Sequence, residues 1–332
     1  MTRPALLIAR AIPTEVLARL STVFEVDANH ADEVLSPASL SQRLAGKVGV
    51  LATGSERITA ELLAANPQLR LVANMAVGYN NVDVDACNAR GVLLTNTPDV
   101  LTETTADFGF ALMMATARRI TEAEIYLREG RWQRWSWDLL AGADVHGATL
   151  GVLGMGRIGQ ALARRGALGF GMNVIYHNRS RLAPELEAPL GAQWVDKATL
   201  LREADHLVIV VPYSASSHHA IGAAELAQMK PTATLTNIAR GGVVDDAALA
   251  VALRERHIAA AGLDVFEGEP QLNPALLTLP NVVLTPHIAS ASLATRRAMA
   301  SLAADNLLAV LGPGGSAVKA LTPVNPAVAQ RP

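Results

Sequence analysis

The sequence has a single cysteine, Cys87, so no intramolecular disulfide can form. Such sparing cysteine use fits a reducing compartment. No grouping of Cys and His shows zinc-ligand spacing, and no metal is expected. No run of Lys or Arg exceeds a pair, and the formal net charge is only -2. That balance calls for neither nucleic acid nor an acidic membrane surface. The longest apolar strings, such as Leu207 to Val211, fall far short of a membrane span. The opening apolar stretch, Ala5 to Ala9, is too short for the core of a signal peptide. Low-complexity tracts and short-period repeats are absent. Together these absences predict a soluble, cytoplasmic protein with no nucleic-acid or membrane partner.

What is present is a chain of 332 residues, half of them apolar, enough for about two domains with sizeable cores. Short apolar runs alternate with longer helical patterns, the signature of parallel α/β units. Strands are predicted at 5–9, 48–52, 71–75 and 92–95. A long apolar helix follows at 102–120. Arg131 to Asp138 (RWQRWSWD) then holds three of the four tryptophans, Trp132, Trp135 and Trp137. A second, larger doubly wound unit follows, with strands at 149–153, 173–176, 206–211, 234–237, 259–263 and 282–284. A final helix at 292–311 is stopped by Gly312-Pro313-Gly314-Gly315. Most strands end in small or polar residues, where ligands sit in open α/β sheets.

Residues 149–160 read TLGVLGMGRIGQ. Gly154, Gly156 and Gly159 form G-x-G-x-x-G between an apolar strand and a helix expected at 160–168. The first glycine permits a tight turn, the second lets backbone approach a pyrophosphate, and the third lets helix pack on strand. The helix start supplies N–H groups and partial positive charge. An acid that would bind a ribose 2′-hydroxyl is expected after the next strand. The segment there is His177-Asn178-Arg179-Ser180-Arg181 instead. Arg179 and Arg181, with Asn178 and Ser180 as donors, suit a 2′-phosphate and predict a preference for NADP(H), with NADH possible.

Three later strand ends carry a cation, carboxylates and an imidazole: Arg240 in TLTNIARGGVVD, Asp264 and Glu269 in GLDVFEGEP, and His287 in LTPHIASA. Reduction of a 2-oxo acid needs such a set. Arg grips a carboxylate with a two-pronged fork. A His held by a carboxylate supplies the proton for the developing alkoxide.

The motifs VGYNNVD (77–83), ETTADFGFALMM (103–114), DVHGATLGVLGMGRIG (144–159), NIARGGVVDDAAL (237–249), AAGLDVFEGEP (260–270) and NVVLTPHIASA (281–291) together resemble the D-isomer-specific 2-hydroxyacid dehydrogenase family. The likeness is strongest to its bacterial glyoxylate/hydroxypyruvate reductase branch, of the 2-ketogluconate reductase type. The resemblance implies an α/β fold of two Rossmann-like doubly wound domains with a cleft between them. Residues 1–98 plus 291–332 would form the outer, substrate-binding domain, and 99–290 the dinucleotide-binding domain. It implies that Arg240 binds the substrate carboxylate and carbonyl, that His287 is the acid/base and that Glu269 orients it. The Val77-Gly78 backbone would share the substrate carboxylate. Arg157 and Ile158 would lie at the pyrophosphate, Ile238, Ala239 and Asp264 at the nicotinamide, and Thr104 against the cofactor. Met155, Val211, Pro212 and Ala289 complete the expected cofactor set, which Arg240 and His287 also border. A homodimer held by an arm after the long helix is implied, with the tryptophans in the interface or at the edge of the active site.

The implied activity is NADPH-dependent reduction of small 2-oxo acids (glyoxylate, hydroxypyruvate, then 2-ketogluconate) to D-2-hydroxy acids. The length argues against phosphoglycerate dehydrogenases with an appended regulatory domain. Ala289 stands where relatives often have Gly, and Asn80 where they often have Asp; both changes bear on substrate detail. Two other readings stand beside this one. One is an NAD-dependent member acting on a larger, hydrophobic 2-oxo acid. The other is a dinucleotide-sensing corepressor of the same fold, which would carry extensions beyond the short Pro-containing tail seen here.

Overall fold

The computed structural model describes residues 3–330. The chain divides into two compact units, Met1–Leu101 joined by Ala291–Pro332, and Thr102–Ser290.

The first unit is a five-stranded sheet of β1 (Ala5–Ile8), β2 (Glu25–Ala28), β3 (Gly49–Ala52), β4 (Leu71–Asn74) and β5 (Leu93–Thr95). The order is β2-β1-β3-β4-β5 and every pairing is parallel. Strands buried on both faces read as continuous apolar runs, and β3 and β4 are buried throughout. β2 was not predicted. Its sequence, EVDA, lies at the sheet edge, where half-exposed acidic residues replace an apolar run. The helix Leu293–Leu311 returns to cover this sheet. Its approach is close: a Cβ on Gly49 would lie 2.6 Å from Leu311 Cδ1. Cys87 is buried in this unit, and burial pushes its thiol up to about 12, so it is no nucleophile at neutral pH.

The second unit opens with the helix Thr102–Ala117. The single helix predicted to 120 breaks at Arg119, whose φ is +53°, and a new helix runs Ile120–Arg128. Beyond it Trp132, Trp135 and Trp137 are 57%, 78% and 84% exposed, so they do not pack into the unit's core. The sheet contains β6 (Thr149–Leu153), β7 (Asn173–His177), β8 (Gln193–Trp194), β9 (His206–Ile209), β10 (Thr234–Asn237), β11 (Ala260–Leu263) and β12 (Val282–Leu284). Its order is β12-β11-β10-β9-β6-β7-β8, again wholly parallel. Two-residue β8 escaped prediction because it is short, polar and exposed. β6 lies where the strand order reverses, with β7 on one side and β9 on the other. In open parallel sheets that switch point is the ligand crevice.

Candidate active site

The Gly-rich turn leaves β6 at this switch point. Gly154 has φ +104°, and a Cβ there would sit 2.8 Å from the Val210–Val211 backbone. A Cβ on Gly159 would sit 2.3 Å from the Gly154 carbonyl oxygen. Both positions therefore require glycine for packing within the unit. Gly156 differs: a Cβ on it meets nothing within 4 Å, so no protein neighbour demands glycine there. In dinucleotide-binding turns this position is kept small so that backbone can approach a pyrophosphate. The helix begins at Arg157, three residues earlier than predicted, and no side chain caps its start. Uncapped N–H groups and the helix dipole suit an anion. The neighbouring helix Thr102–Ala117, which carries Thr104, is clamped to this one by Arg164–Glu103 at 2.8 Å. Arg165 adds bonds to Glu103 and Asp107. Val211 and Pro212 follow β9, with Val211 against Gly154.

The loop after β7 divides the residues expected at a 2′-phosphate. Asn178 Oδ1 accepts the Met155 N–H at 2.7 Å, so it braces the Gly-rich turn, and the buried Met155 carries that link. Trp194 donates its indole N–H to the Asn178 carbonyl at 3.1 Å. Arg181, paired with Arg179 in the sequence reading, is taken: it forks onto Glu187 at 3.0 and 2.7 Å. Glu187 is buried and also accepts from Tyr176 Oη at 2.6 Å. The Arg181 guanidinium, helped by that hydroxyl, holds the Glu187 carboxyl below its usual range. Arg179 and Ser180 are exposed. Arg179 makes no ion pair or hydrogen bond among the described residues, whereas Arg181 has its Nε and Nη2 on Glu187.

The three adjacent strands β10, β11 and β12 deliver the other candidates. Asn237 ends β10 and shapes the turn after it. Its Oδ1 accepts the Ala239 N–H at 3.0 Å. Ile238 and Ala239 are buried, and Arg240, partly buried, donates to the Ala239 carbonyl at 2.9 Å. Burial lowers the Arg240 pKa below its ordinary value, and the Glu269 charge partly opposes that. Asp264, fully buried at the end of β11, accepts the Thr285 hydroxyl at 2.7 Å. It also accepts the Ile288 N–H at 2.9 Å and the Ala289 N–H at 2.8 Å. Burial raises its carboxyl pKa against these bonds. Asp264 thus pins the turn on either side of His287, whose φ is +54°. His287 Nδ1 lies 2.8 Å from Glu269 Oε2, and Glu269 Oε1 accepts the Phe266 N–H at 2.7 Å. Burial pushes Glu269 up, but the bond to His287, the His287 charge, the Phe266 N–H and Arg240 together bring it below its ordinary value. With Nδ1 engaged, Nε2 is the His287 nitrogen left for a substrate. Arg240, Asp264, Glu269 and His287 thus share one strand edge. The bracing roles of Asn178, Asn237 and Thr285 were not read from sequence, because their partners lie elsewhere in the chain or on the backbone.

Val77 and Gly78 belong to the first unit, on the loop after β4. Their carbonyls accept from Asn96 at 2.9 Å and Asn74 at 3.0 Å. Asn74 Oδ1 in turn accepts from Asn81 at 3.3 Å.

A doubly wound parallel sheet with G-x-G-x-x-G at its switch point defines a dinucleotide-binding fold. Comparison with known proteins narrows the class. Residues 110–289 match the family model for the D-isomer specific 2-hydroxyacid dehydrogenase NAD-binding domain. A glyoxylate reductase of Thermococcus onnurineus (strain NA1) is 47% identical over 311 residues, covering 92% of each chain. Glyoxylate/hydroxypyruvate reductase B of Klebsiella pneumoniae (strain 342) is 45% identical over 313 residues, 93% of this chain and 95% of that one. A crystal structure of an NADPH-dependent glyoxylate/hydroxypyruvate reductase from Sinorhizobium meliloti, in complex with NADP and malonate, matches with TM-score 0.87 and 39% identity. It covers 100% of this chain and 99% of that chain. The chain belongs to the D-isomer-specific 2-hydroxyacid dehydrogenase family. It is an NAD(P)-dependent oxidoreductase, and its cofactor is a nicotinamide dinucleotide.

Proposed function

We propose that this enzyme reduces small 2-oxo acids to D-2-hydroxy acids with NADPH, taking glyoxylate and hydroxypyruvate first and 2-ketogluconate next. The observation that carries the proposal is the 2.8 Å His287–Glu269 pair on the same strand edge as Arg240. Arg240 grips the substrate carboxylate and polarises the C2 carbonyl. His287, its Nδ1 held by Glu269, donates the proton from Nε2 to the carbonyl oxygen as it gains charge. Glu269 keeps the ring turned and offsets its positive charge before the proton leaves. Asp264 holds the His287 turn in place through its bonds to Thr285, Ile288 and Ala289. The bound dinucleotide supplies the hydride. The Gly154–Gly159 turn, Arg157, Ile158 and Thr104 hold it, and Val211, Pro212, Ile238, Ala239 and Ala289 line its course.

The exposed tryptophans after the helix Ile120–Arg128 support a homodimer through that arm. The relatives named above support the substrate class. Preference for NADPH rests on Arg179 and on the lack of an acid at 177–181.

The test is loss of reduced-nicotinamide absorbance with glyoxylate, hydroxypyruvate and 2-ketogluconate, using NADPH and NADH in parallel. Turnover of the first two with a higher kcat/KM for NADPH is expected. No oxidation across a broad 2-oxo acid panel overturns the reading and leaves the dinucleotide-sensing alternative. Turnover of larger, hydrophobic 2-oxo acids with NADH instead selects the NAD-dependent one, which the engagement of Arg181 by Glu187 favours.

A further inference from the structure

Sequence spacing predicts no metal site, yet the fold gathers two imidazoles and a carboxylate on the outside of the β9–β11 loops. We propose that His218, His219 and Glu267 bind a divalent transition-metal cation of the zinc class. His218 and His219 lie in the loop after β9, and Glu267 lies 48 positions on from His219, after β11. One ligand atom from each of the three falls within 4.8 Å of the others. His219 Nε2 is already 3.2 and 3.1 Å from the two Glu267 oxygens. That is close to the edge, roughly 3.3 Å, of a tetrahedron with metal–ligand bonds of about 2.0–2.1 Å. The His218 and His219 rings stack with centroids 3.9 Å apart, so a side-chain rotation of exposed His218 closes the set.

The surroundings match those of imidazole ligands. A metal-bound His usually presents its other ring nitrogen to an oxygen. Asp245 Oδ2 lies 3.8 Å from His219 Nδ1, and Tyr213 Oη lies 3.2 Å from His218 Nδ1. The site is backed by rigid main chain. The His219 N–H donates to the Gly242 carbonyl at 2.7 Å, and the Glu267 N–H donates to Asp246 Oδ2 at 3.0 Å. The Glu267 and Asp245 carboxylates bring negative charge to the cluster, which draws a dication. A bound ion ties together the loops after β9 and β11 and, through Gly242 and Asp245, the loop that follows Arg240. Nitrogen-rich sites of this kind rank copper, nickel and zinc above manganese and magnesium.

The experiment titrates Zn²⁺ into the full chain, tag-free and freed of metal with chelator, by calorimetry, and follows Co²⁺ binding by visible absorption. The parent protein is expected to take one Zn²⁺ and to melt several degrees higher with it. His218→Ala and Glu267→Gln are each expected to bind at least about tenfold more weakly while melting normally without metal. No binding by the parent at about 100 µM Zn²⁺ overturns the proposal. So does unchanged affinity in both variants, which would put the ion on other histidines.

Discussion

Two edges of the second unit are built alike, from loops that follow parallel strands, and they distribute their polar bonds differently. After β11 and β12 every carboxylate has internal partners. Asp264 takes three donors, and Glu269 takes the Phe266 N–H and His287. After β7 one arginine is tied to a buried carboxylate and the next stands in solvent. The edge after β11 and β12 is therefore tied together by internal bonds, whereas the loop after β7 leaves Arg179 in solvent. One edge is stiff and the other soft.

The strongest way to break that contrast is at His287. His287→Asn is expected to lower kcat by about 10²–10⁴-fold, the usual worth of a general acid, with the dinucleotide Kd nearly unchanged. Turnover near that of the parent would remove His287 from the role. Next comes Asp264→Ala, which strands two backbone N–H groups and a hydroxyl that the carboxylate now satisfies. A loss of about 3–5 kcal/mol in denaturant melts and a fall in kcat are expected. Asp264→Asn, which keeps one acceptor, should lose about half as much; equal losses in both would mean the charge matters more than the bonds.

The stiff edge also carries a cost that titration can expose. Asp246, buried beneath the Glu267 N–H, has its carboxyl raised by burial to about 6 from 3.8. An acid whose folded pKa lies above its unfolded value binds extra protons in the native state. Its contribution to stability therefore falls as pH rises from about 4 to about 6, and the deficit persists above that. Asp246→Asn should thus stabilise the protein at about pH 8 by at most ~3 kcal/mol and hardly at all near pH 3. A pH-independent difference between the two proteins' melting curves would contradict it. The smallest effect belongs to the soft edge. Arg179→Ala should raise the NADPH KM by about tenfold, the worth of one charged contact, and leave the NADH KM alone. Arg181→Ala should lower the Tm and weaken both cofactors alike. A reversed pattern would make Arg181 the reader of the phosphate.

The same contrast explains what the sequence disclosed. Central strands such as β3, β4, β6 and β9 are buried on both faces, so their apolar runs announce them. Edge strands β2 and β8 carry Glu25, Asp27 and Gln193 in partial or full exposure, and no apolar run marks them. The break at Arg119 needs a left-handed backbone at a residue that ordinarily continues a helix, and the apolar pattern runs straight across it. At the site, Arg240, Glu269 and His287 were nameable because each sits just past a recognisable strand. The link from Asn178 to Met155 spans 23 positions, and the Arg181–Glu187 fork crosses a turn of no fixed period. Those bonds depend on three-dimensional closure. For the same reason the bond that ties Arg181 to Glu187 leaves no mark in the sequence.

The return of the helix Leu293–Leu311 to the first sheet has a consequence for how the molecule is made. That helix supplies Ala300, Ala303, Ala304 and Leu307 to a core shared with Leu6, Leu51 and Leu71. On the ribosome the dinucleotide unit, complete by Ser290, is free to fold while the earlier sheet still waits for its cover. The nascent chain thus carries a finished domain behind a bare apolar face, the kind of surface that chaperones hold. A premature stop before Leu311 would release a product with an intact nucleotide unit and an open hydrophobic sheet, prone to aggregate from its amino-terminal end.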